Sequence, residues 1–150
     1  MTGEERQRIV VGVDGSDSAQ RALDWALRHA ALTGAVVDAV LAWQYPVNYG
    51  WVMTDQDAQL SDLARQTLDK AIAEASHVAP DVVVRGHVVE QNPARALLDA
   101  CEGADLLVVG SRGHGGFVGA LLGSVSQHCV HHAPCPVLVM RDAPGHRGGD

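Results

Sequence analysis

The stretch that decides the fold reads IVVGVDGS, from Ile9 to Ser16. The residues from Ile9 to Val13 are apolar and mostly β-branched, without the alternation of a strand that has one wet face. Asp14 follows directly, and a segment with apolar residues at helical spacing, Ala19 to Ala30, comes next. A buried strand that leads straight into a helix is typical of a parallel α/β sheet.

Four further apolar runs of strand length extend this pattern along the chain. They are Ala35 to Trp43, Val82 to Val89, Leu106 to Val109 and Val137 to Met140. The segments between them have helical period. Asn92 as a cap, Pro93 in the first turn and Gly103 beyond the end mark the third helix. The fourth is expected from about Ser124 to His132, stopped by Pro134.

Strands that alternate with helices predict an α/β fold, a single-domain doubly wound five-stranded parallel sheet with helices on both faces. We expect a Rossmann-like strand order of 3-2-1-4-5. The domain is predicted to span residues 8–141, with a flexible N-terminus at 1–7 and a flexible tail at 142–150. Residues 45–54 are expected to form a loop near the ligand crevice, a candidate flap.

Composition excludes several classes of function. The 150 residues carry a net charge of −7, which disfavours nucleic acid as a partner. The apolar runs are too short to span a membrane, and the polar N-terminus lacks the features of a signal peptide, so a cytoplasmic location is expected. The three cysteines, Cys101, Cys129 and Cys135, lack CxxC spacing and are interpreted as buried free thiols.

The chemistry is concentrated in a glycine-rich stretch, VGSRGHGGFVGALLGSVS, from Val109 to Ser126. Its glycines let a chain that leaves a strand turn sharply and expose bare N–H groups, and Gly123 and Ser124 open a helix whose N-terminus favours an anion. In a doubly wound sheet, ligands bind beyond the carboxyl ends of strands where the order reverses, here after strands one and four. The stretch therefore predicts a phosphate cradle facing Asp14, although it is neither a Walker loop nor a Rossmann fingerprint.

The spacing of this stretch resembles a known family. Gly110, Gly113, Gly123 and Ser124 match the G-x2-G-x9-G-[S/T] motif of ATP-binding universal stress proteins. IVVGVDGS is similar to the family's first strand with its ligand-binding aspartate, and HHAPCPVLV, from His131 to Val139, resembles its last segment. The resemblance implies ATP as the ligand, together with Mg2+, and a nucleotide-responsive regulatory or stress-response protein with at most slow ATP hydrolysis.

The resemblance also implies which residues bind the nucleotide. The aspartate after strand one meets the adenosine, the end of strand two borders the adenine, and the glycine loop holds the phosphates. The expected binding residues are Gly12, Val13, Asp14, Trp43, Val109, Gly110, Ser111, Arg112, Gly113, His114, Gly123, Ser124, Val125 and Ser126. Gln91, His114 and Ala120 depart from the family pattern, which is expected to weaken phosphate affinity or make it depend on pH.

Alternative interpretations remain open at this point. Asp14 also fits a turn or helix cap near Ser16. A zinc site built from His128, Cys129, His131, His132 and Cys135 is disfavoured, because Pro134 interrupts the helix that would align them. The alternative function is an ATPase or phosphotransferase that uses the same loop, yet no general base or catalytic residue is assignable. The family resemblance and the apolar edge of strand five together predict a homodimer through that strand.

Overall fold

Strands and helices alternate along the chain in a computed structural model, which describes residues 6–44, 54–111 and 123–141. The strands are β1 (Arg8–Gly12), β2 (Val36–Trp43), β3 (Val84–Glu90), β4 (Leu106–Gly110) and β5 (Val137–Met140). The helices are α1 (Asp17–Thr33), α2 (Thr54–Ser76), α3 (Pro93–Ala100) and α4 (Ser124–His132).

All strand pairs in the sheet are parallel, and their order is β3-β2-β1-β4-β5. This confirms the predicted fold class and strand order. The largest boundary difference is at β3, which begins at Val84 rather than Val82. The N–H of Val82 instead donates to the carbonyl of Ala79, 3.2 Å away, and so closes the turn after α2.

Two apolar layers cover the two faces of the sheet. On one face, Ile9 and Val11 pack with α1 and α2, where Leu23, Leu27 and Leu68 are fully buried. On the other face, Val10, Val40 and Leu107 pack with Leu97 of α3 and Cys129 of α4. Because the central strands are buried on both sides, they need apolar residues at successive positions, and the sequence shows that pattern.

Local signals fix the ends of the helices. Ser16 caps α1 by accepting a hydrogen bond from the N–H of Ala19, and Gly34 ends the helix at a φ of 79°. Asn92 caps α3 as predicted, with its side chain accepting from the N–H of Arg95. Cys101 is the C-cap of α3, and α4 has its predicted limits.

Some predictions fall where the structure gives no description. The loop at residues 45–53, the tail at 142–150 and residues 1–5 of the predicted flexible N-terminus lie outside the described residues. Thr54, placed in the loop by the sequence, is the first residue of α2. Within the described part of the chain, every helix is too short or too polar to span a bilayer.

A buried carboxylate links three neighbouring strands near their amino ends. The Asp38 side chain, on β2, is only 6% exposed. It accepts hydrogen bonds from Arg8 on β1 at 3.0 Å and from Arg85 on β3 at 2.8 and 3.0 Å, and His87 on β3 lies 3.1 Å away. The guanidinium of Arg8 also donates to the carbonyl of Ala100, at the end of α3. Asp38 thus joins β1, β2 and β3, and Arg8 extends the network to α3.

Two opposing effects, burial and hydrogen bonding, determine the pKa of Asp38. Burial alone would raise it, but the hydrogen bonds from Arg85, His87 and Arg8 outweigh burial and hold the pKa below its ordinary value of 3.8. A carboxyl group whose pKa is lower in the folded state stabilises the fold at neutral pH. That contribution is present above the pKa of the unfolded chain and is lost as pH falls through the lower pKa of the folded state.

We predict that Asp38→Asn lowers the free energy of unfolding by about 2 kcal/mol at pH 7, because Arg8, which is partly buried, and Arg85 lose the buried carboxylate to which both donate hydrogen bonds. Urea denaturation measures the difference. The gap between the variant and the unchanged protein should close below about pH 4, as Asp38 becomes protonated in both states of the unchanged protein. As a control, Asp69→Asn removes a 63% exposed carboxylate paired with Arg65 and should cost under about 0.5 kcal/mol. Equal losses for the two variants would contradict the assignment.

Candidate functional site

The strand order reverses between β1 and β4. From β1 the chain adds β2 and then β3 on one side, and it crosses to the other side of β1 to form β4 and β5. The helices that follow β1 and β4 therefore leave on opposite faces of the sheet, which opens a crevice beyond the carboxyl ends of these two strands. Gly12 and Val109 meet there, since a β-carbon on Gly12 would lie 3.7 Å from Cγ1 of Val109.

Asp14 stands at the carboxyl end of β1. The N–H of Val13 donates to the carbonyl of Val40 at 2.9 Å and so keeps the chain in the sheet up to that residue. Asp14 is exposed, and its Oδ1 accepts a hydrogen bond from the N–H of Ser16 at 2.9 Å. The turn suggested by the sequence is therefore present. A carboxylate has about four acceptor positions, so this bond leaves the side chain able to accept from a ligand as well.

Gly110 ends β4 directly beneath the first turn of α1. A β-carbon at this position would clash with the Oγ of Ser18 and would lie 2.9 Å from the backbone N of Ala19. Only a residue without a side chain lets the helix approach so closely. The N-terminus of α1 is poorly suited to binding an anion, because the Ser16 side chain caps it and the negatively charged Asp17 lies in its first turn.

The N-terminus of α4 has the opposite character. Its N-cap is Gly123, which contributes no side-chain hydrogen bond to the helix. The first N–H groups of a helix lack partners within it, so this end presents donors and the positive end of the helix dipole. Serine or threonine at the cap would satisfy one of those donors, whereas glycine leaves it to another partner.

Two hydrogen bonds hold this helix end against β4, and a third joins the end of β4 to β5. The N–H of Gly123 donates to the carbonyl of Ser111 at 2.6 Å, and the N–H of Ser111 donates to the carbonyl of Met140 at 2.8 Å. The hydroxyl of Ser126 donates to the carbonyl of Gly110. Although residues 112–122 are not described, both ends of the glycine-rich stretch are therefore joined beside β1.

Trp43 lies at the carboxyl end of β2 and is half-buried against the apolar layer beneath α1 and α2. Its carbonyl accepts a hydrogen bond from the N–H of Gln91 at 2.9 Å. The Gln91 side chain donates to Oδ2 of Asp99 at 3.1 Å. Gln91, one of the departures from the family pattern, thus helps to position α3 next to the end of β2.

The structure places most of the sequence-predicted residues at this crevice, and their role in binding stays a prediction. Those described are Gly12, Val13, Asp14, Trp43, Val109, Gly110, Ser111, Gly123, Ser124, Val125 and Ser126. Arg112, Gly113, His114 and Ala120 lie outside the described residues. Ser126 is 4% exposed with its hydroxyl donated to Gly110, so its visible role is to position α4. Ser18 also lies against Gly110, and no feature of the sequence pointed to it.

The cysteines and histidines do not form a metal centre within the part of the chain that the structure describes. Among the described side chains, no three His, Cys, Asp or Glu residues are arranged to hold a metal ion. The rings of His128 and His132 lie 4.6 Å apart on the exposed side of α4, whereas Cys129 is fully buried on its other side.

Known proteins resemble this chain over nearly its whole length. Residues 5–141 match the model of the universal stress protein family. Universal stress protein Rv2623 of Mycobacterium tuberculosis is 35% identical over 143 residues, which is 95% of this chain but 48% of that protein. The chain thus spans about half the length of such curated relatives.

Solved structures extend the likeness to the fold. A universal stress protein in complex with cAMP is 30% identical, with a TM-score of 0.70 over 91% of this chain and 97% of that one. Universal stress protein UspA from Lactobacillus plantarum is 25% identical, with a TM-score of 0.69 over 90% of this chain and 97% of that one.

We predict that Gly110→Ala destabilises the fold by about 2 kcal/mol or more, because the new methyl group must displace the backbone of α1. Gly12→Ala is the matched control, since its methyl group would press on the flexible end of Leu97, at 3.0 Å, and lie at ordinary contact distance from Val109, at 3.7 Å. That variant should cost under about 1 kcal/mol. Chemical denaturation of both variants measures the difference, and an unperturbed Gly110→Ala protein would show that α1 does not lie on β4 in solution.

Proposed function

The chain belongs to the universal stress protein family, and on that premise we propose that it binds ATP in the crevice between the carboxyl ends of β1 and β4. Its role would be that of a nucleotide-responsive regulatory protein of the stress response. The related structure in complex with cAMP supports an adenine nucleotide as the ligand class. The cytoplasmic location expected from the sequence is part of the same proposal.

One observation carries the phosphate half of this proposal. A helix N-terminus with a glycine cap lies beside the place where the sheet order reverses, held there by the bonds from Gly123 to Ser111 and from Ser126 to Gly110. Such an end favours negative charge through its backbone N–H groups. This local site is needed because the whole chain carries a net charge of −7 and repels anions on average. Arg112 and His114 are proposed to add to it.

The adenosine half is assigned to the end of β1. Asp14 is exposed beyond the strand, and a carboxylate there can accept hydrogen bonds from the two ribose hydroxyls. Val13 follows β1 and Trp43 ends the neighbouring strand β2. Trp43 is half-buried and offers apolar surface for a purine, and the backbone of Val13, whose side chain is buried, is proposed to border the same place. β4 lies beside β1 in the sheet, and the end of β4 is hydrogen-bonded to the start of α4. The proposed adenosine and phosphate halves of the site are therefore neighbours.

We expect binding to dominate over catalysis. Mg2+ would arrive with the nucleotide, since this ion binds mainly to phosphate oxygens and keeps several waters. The assigned residues supply hydrogen-bond donors for phosphate and an acceptor for ribose, and none of them is placed as a general base. Release of phosphate from ATP at rates typical of kinases, about 1–100 per second, would favour the alternative of an ATPase or phosphotransferase.

We also propose a homodimer through β5. This strand lies at the edge of the sheet, pairs with β4, and is not paired on its other side by any described strand. Its four residues, VLVM, are apolar and only half-buried. An apolar edge with unpaired backbone groups favours addition of another strand. A second copy related by a two-fold axis satisfies both edges at once.

The nucleotide proposal is tested by comparing the binding of ATP with that of tripolyphosphate, which has the phosphates of ATP but lacks adenosine. We expect Asp14→Ala to weaken ATP by about 10- to 100-fold, the range of lost hydrogen bonds to a charged group, and to leave tripolyphosphate nearly unchanged. Gly123→Val should weaken both ligands by about tenfold or more, because a branched side chain then stands beside the amide donors. Its φ of −69° and ψ of 163° suit valine, so the fold should persist. Calorimetric titration measures all four affinities.

Two results would overturn these assignments. Equal losses of ATP and tripolyphosphate in Asp14→Ala would move that residue away from the adenosine. Unchanged affinities in Gly123→Val would remove α4 from the phosphate site.

The dimer is tested by a substitution at the outer edge of β5. Leu107 and Ser111 donate to the carbonyls of Pro136 and Met140, so by the parallel ladder the N–H of Val139 points away from β4. Val139→Pro therefore removes an outward donor and spares the pairing with β4. We expect the unchanged protein to scatter light as a dimer and the variant to be a folded monomer by circular dichroism. A monomeric unchanged protein at micromolar concentrations would refute the dimer.

A further inference from the structure

The three cysteines, distant in the sequence, converge in one apolar layer. Cys101 caps the end of α3, Cys129 lies within α4, and Cys135 lies between α4 and β5. All three pack in the layer on the α3 and α4 face of the sheet. All three are free thiols. None of them belongs to the proposed nucleotide site.

The three thiols differ in their access to solvent. Cys101 and Cys129 are fully buried, whereas Cys135 is half-buried. A small oxidant such as hydrogen peroxide therefore meets Cys135 first. Cys135 packs against the layer that contains Cys101. Its thiol is near enough to raise the pKa of Cys101, so the two side chains are neighbours.

We infer that Cys101 and Cys135 form an oxidisable pair that peroxide converts into an intramolecular disulfide. The thiolate of Cys135 attacks one peroxide oxygen, and the other leaves as hydroxide, which is protonated to water. The thiolate of Cys101 then attacks the Cys135 sulfur of the resulting sulfenic acid, the S–S bond forms, and the S–O bond breaks to release a second water. The two thiols lose two electrons and two protons in total, and the peroxide is reduced to two waters.

The backbone favours Cys135 over Cys129 as the partner of Cys101. Cys129 is held inside α4, where its carbonyl accepts from the N–H of Ala133 at 2.9 Å. Cys135 lies outside both α4 and β5, at a bend between the C-cap Ala133 and the start of β5. A disulfide has narrow geometric limits, and a residue outside regular structure can adjust to them at smaller cost.

The pKa of the Cys101 thiol determines how the second step, the closure of the disulfide, depends on pH. Burial raises the pKa of Cys101, and the adjacent Cys135 raises it further. Only the thiolate attacks, and its fraction rises about tenfold per pH unit below the pKa. Closure of the disulfide should therefore become faster as pH rises from 7 to 9, and a sulfenic acid at Cys135 should be easiest to trap near neutral pH.

The disulfide encloses the segment from Cys101 to Cys135, which contains β4, Ser111 and the start of α4. The formation of the disulfide is tested without any nucleotide, so its failure is distinct from failure of the proposed function.

The test is disulfide mapping after brief treatment of the folded protein with hydrogen peroxide. The free thiols should fall from three to one, restored by dithiothreitol, and the tryptic peptide with Cys101 should be joined to the peptide ending at Arg141. That second peptide carries both Cys129 and Cys135, so Cys129→Ala identifies the partner and should still form the link. Cys135→Ser should abolish it. In Cys101→Ala, dimedone should label Cys135.

The same oxidation in concentrated urea is the control for native geometry, since an unfolded chain should give a mixture of pairings. Circular dichroism confirms that each variant is folded, and mapping of the unsubstituted protein needs no variant. A link from Cys101 to Cys129, a disulfide between two chains, or three remaining thiols in the folded protein would each overturn the inference.

Discussion

The close approach of α1 to the end of β4 is the contact on which the crevice depends. Gly110 has no side chain, so the first turn of α1, at Ser18 and Ala19, can lie directly on the strand. On the other side of the sheet, the hydroxyl of Ser126 brings α4 to the carbonyl of the same residue. One glycine therefore meets the N-terminal turns of two helices, and a side chain there would push α1 away from the strand. The site is a consequence of that packing together with the reversal of strand order beside β1.

Much of this could be predicted from the sequence because the relevant signals are local. Continuous apolar runs indicated strands covered on both faces, and Asn92, Pro93 and Pro134 indicated helix limits. The boundary of β3 was wrong by two residues because Val82 closes a turn onto Ala79, a choice that an apolar run does not reveal. Within the site, the register of glycines pointed to Gly110 and Gly123, but nothing marked Ser18, whose importance depends on contact across the fold.

The contacts that the sequence did not predict are long-range and polar. Asp38 interrupts the apolar run VVDAVLAW, and that interruption was the available signal for a buried charge. Its partners could not be identified without the strand register, which sets Arg85 directly beside Asp38 on β3. All three cysteines were correctly predicted to be free thiols, and burial is confirmed for Cys101 and Cys129. The predicted burial was wrong for Cys135, which is half-buried. Their convergence depends on the packing of α3 against α4, which residue spacing cannot give.

Binding of an adenine nucleotide in the crevice between β1 and β4 is the central proposal for this protein. The most direct measurement is an NMR titration of the isotope-labelled protein with ATP, which follows the backbone amides. We expect the largest shifts at Val13, Asp14, Ser111, Ser124 and Val125. Small shifts are expected at Arg8, Val36 and Val84, which begin β1, β2 and β3 at the opposite end of the sheet from the crevice. Shifts concentrated away from the carboxyl ends of β1 and β4, or none at millimolar ATP, would contradict the claim.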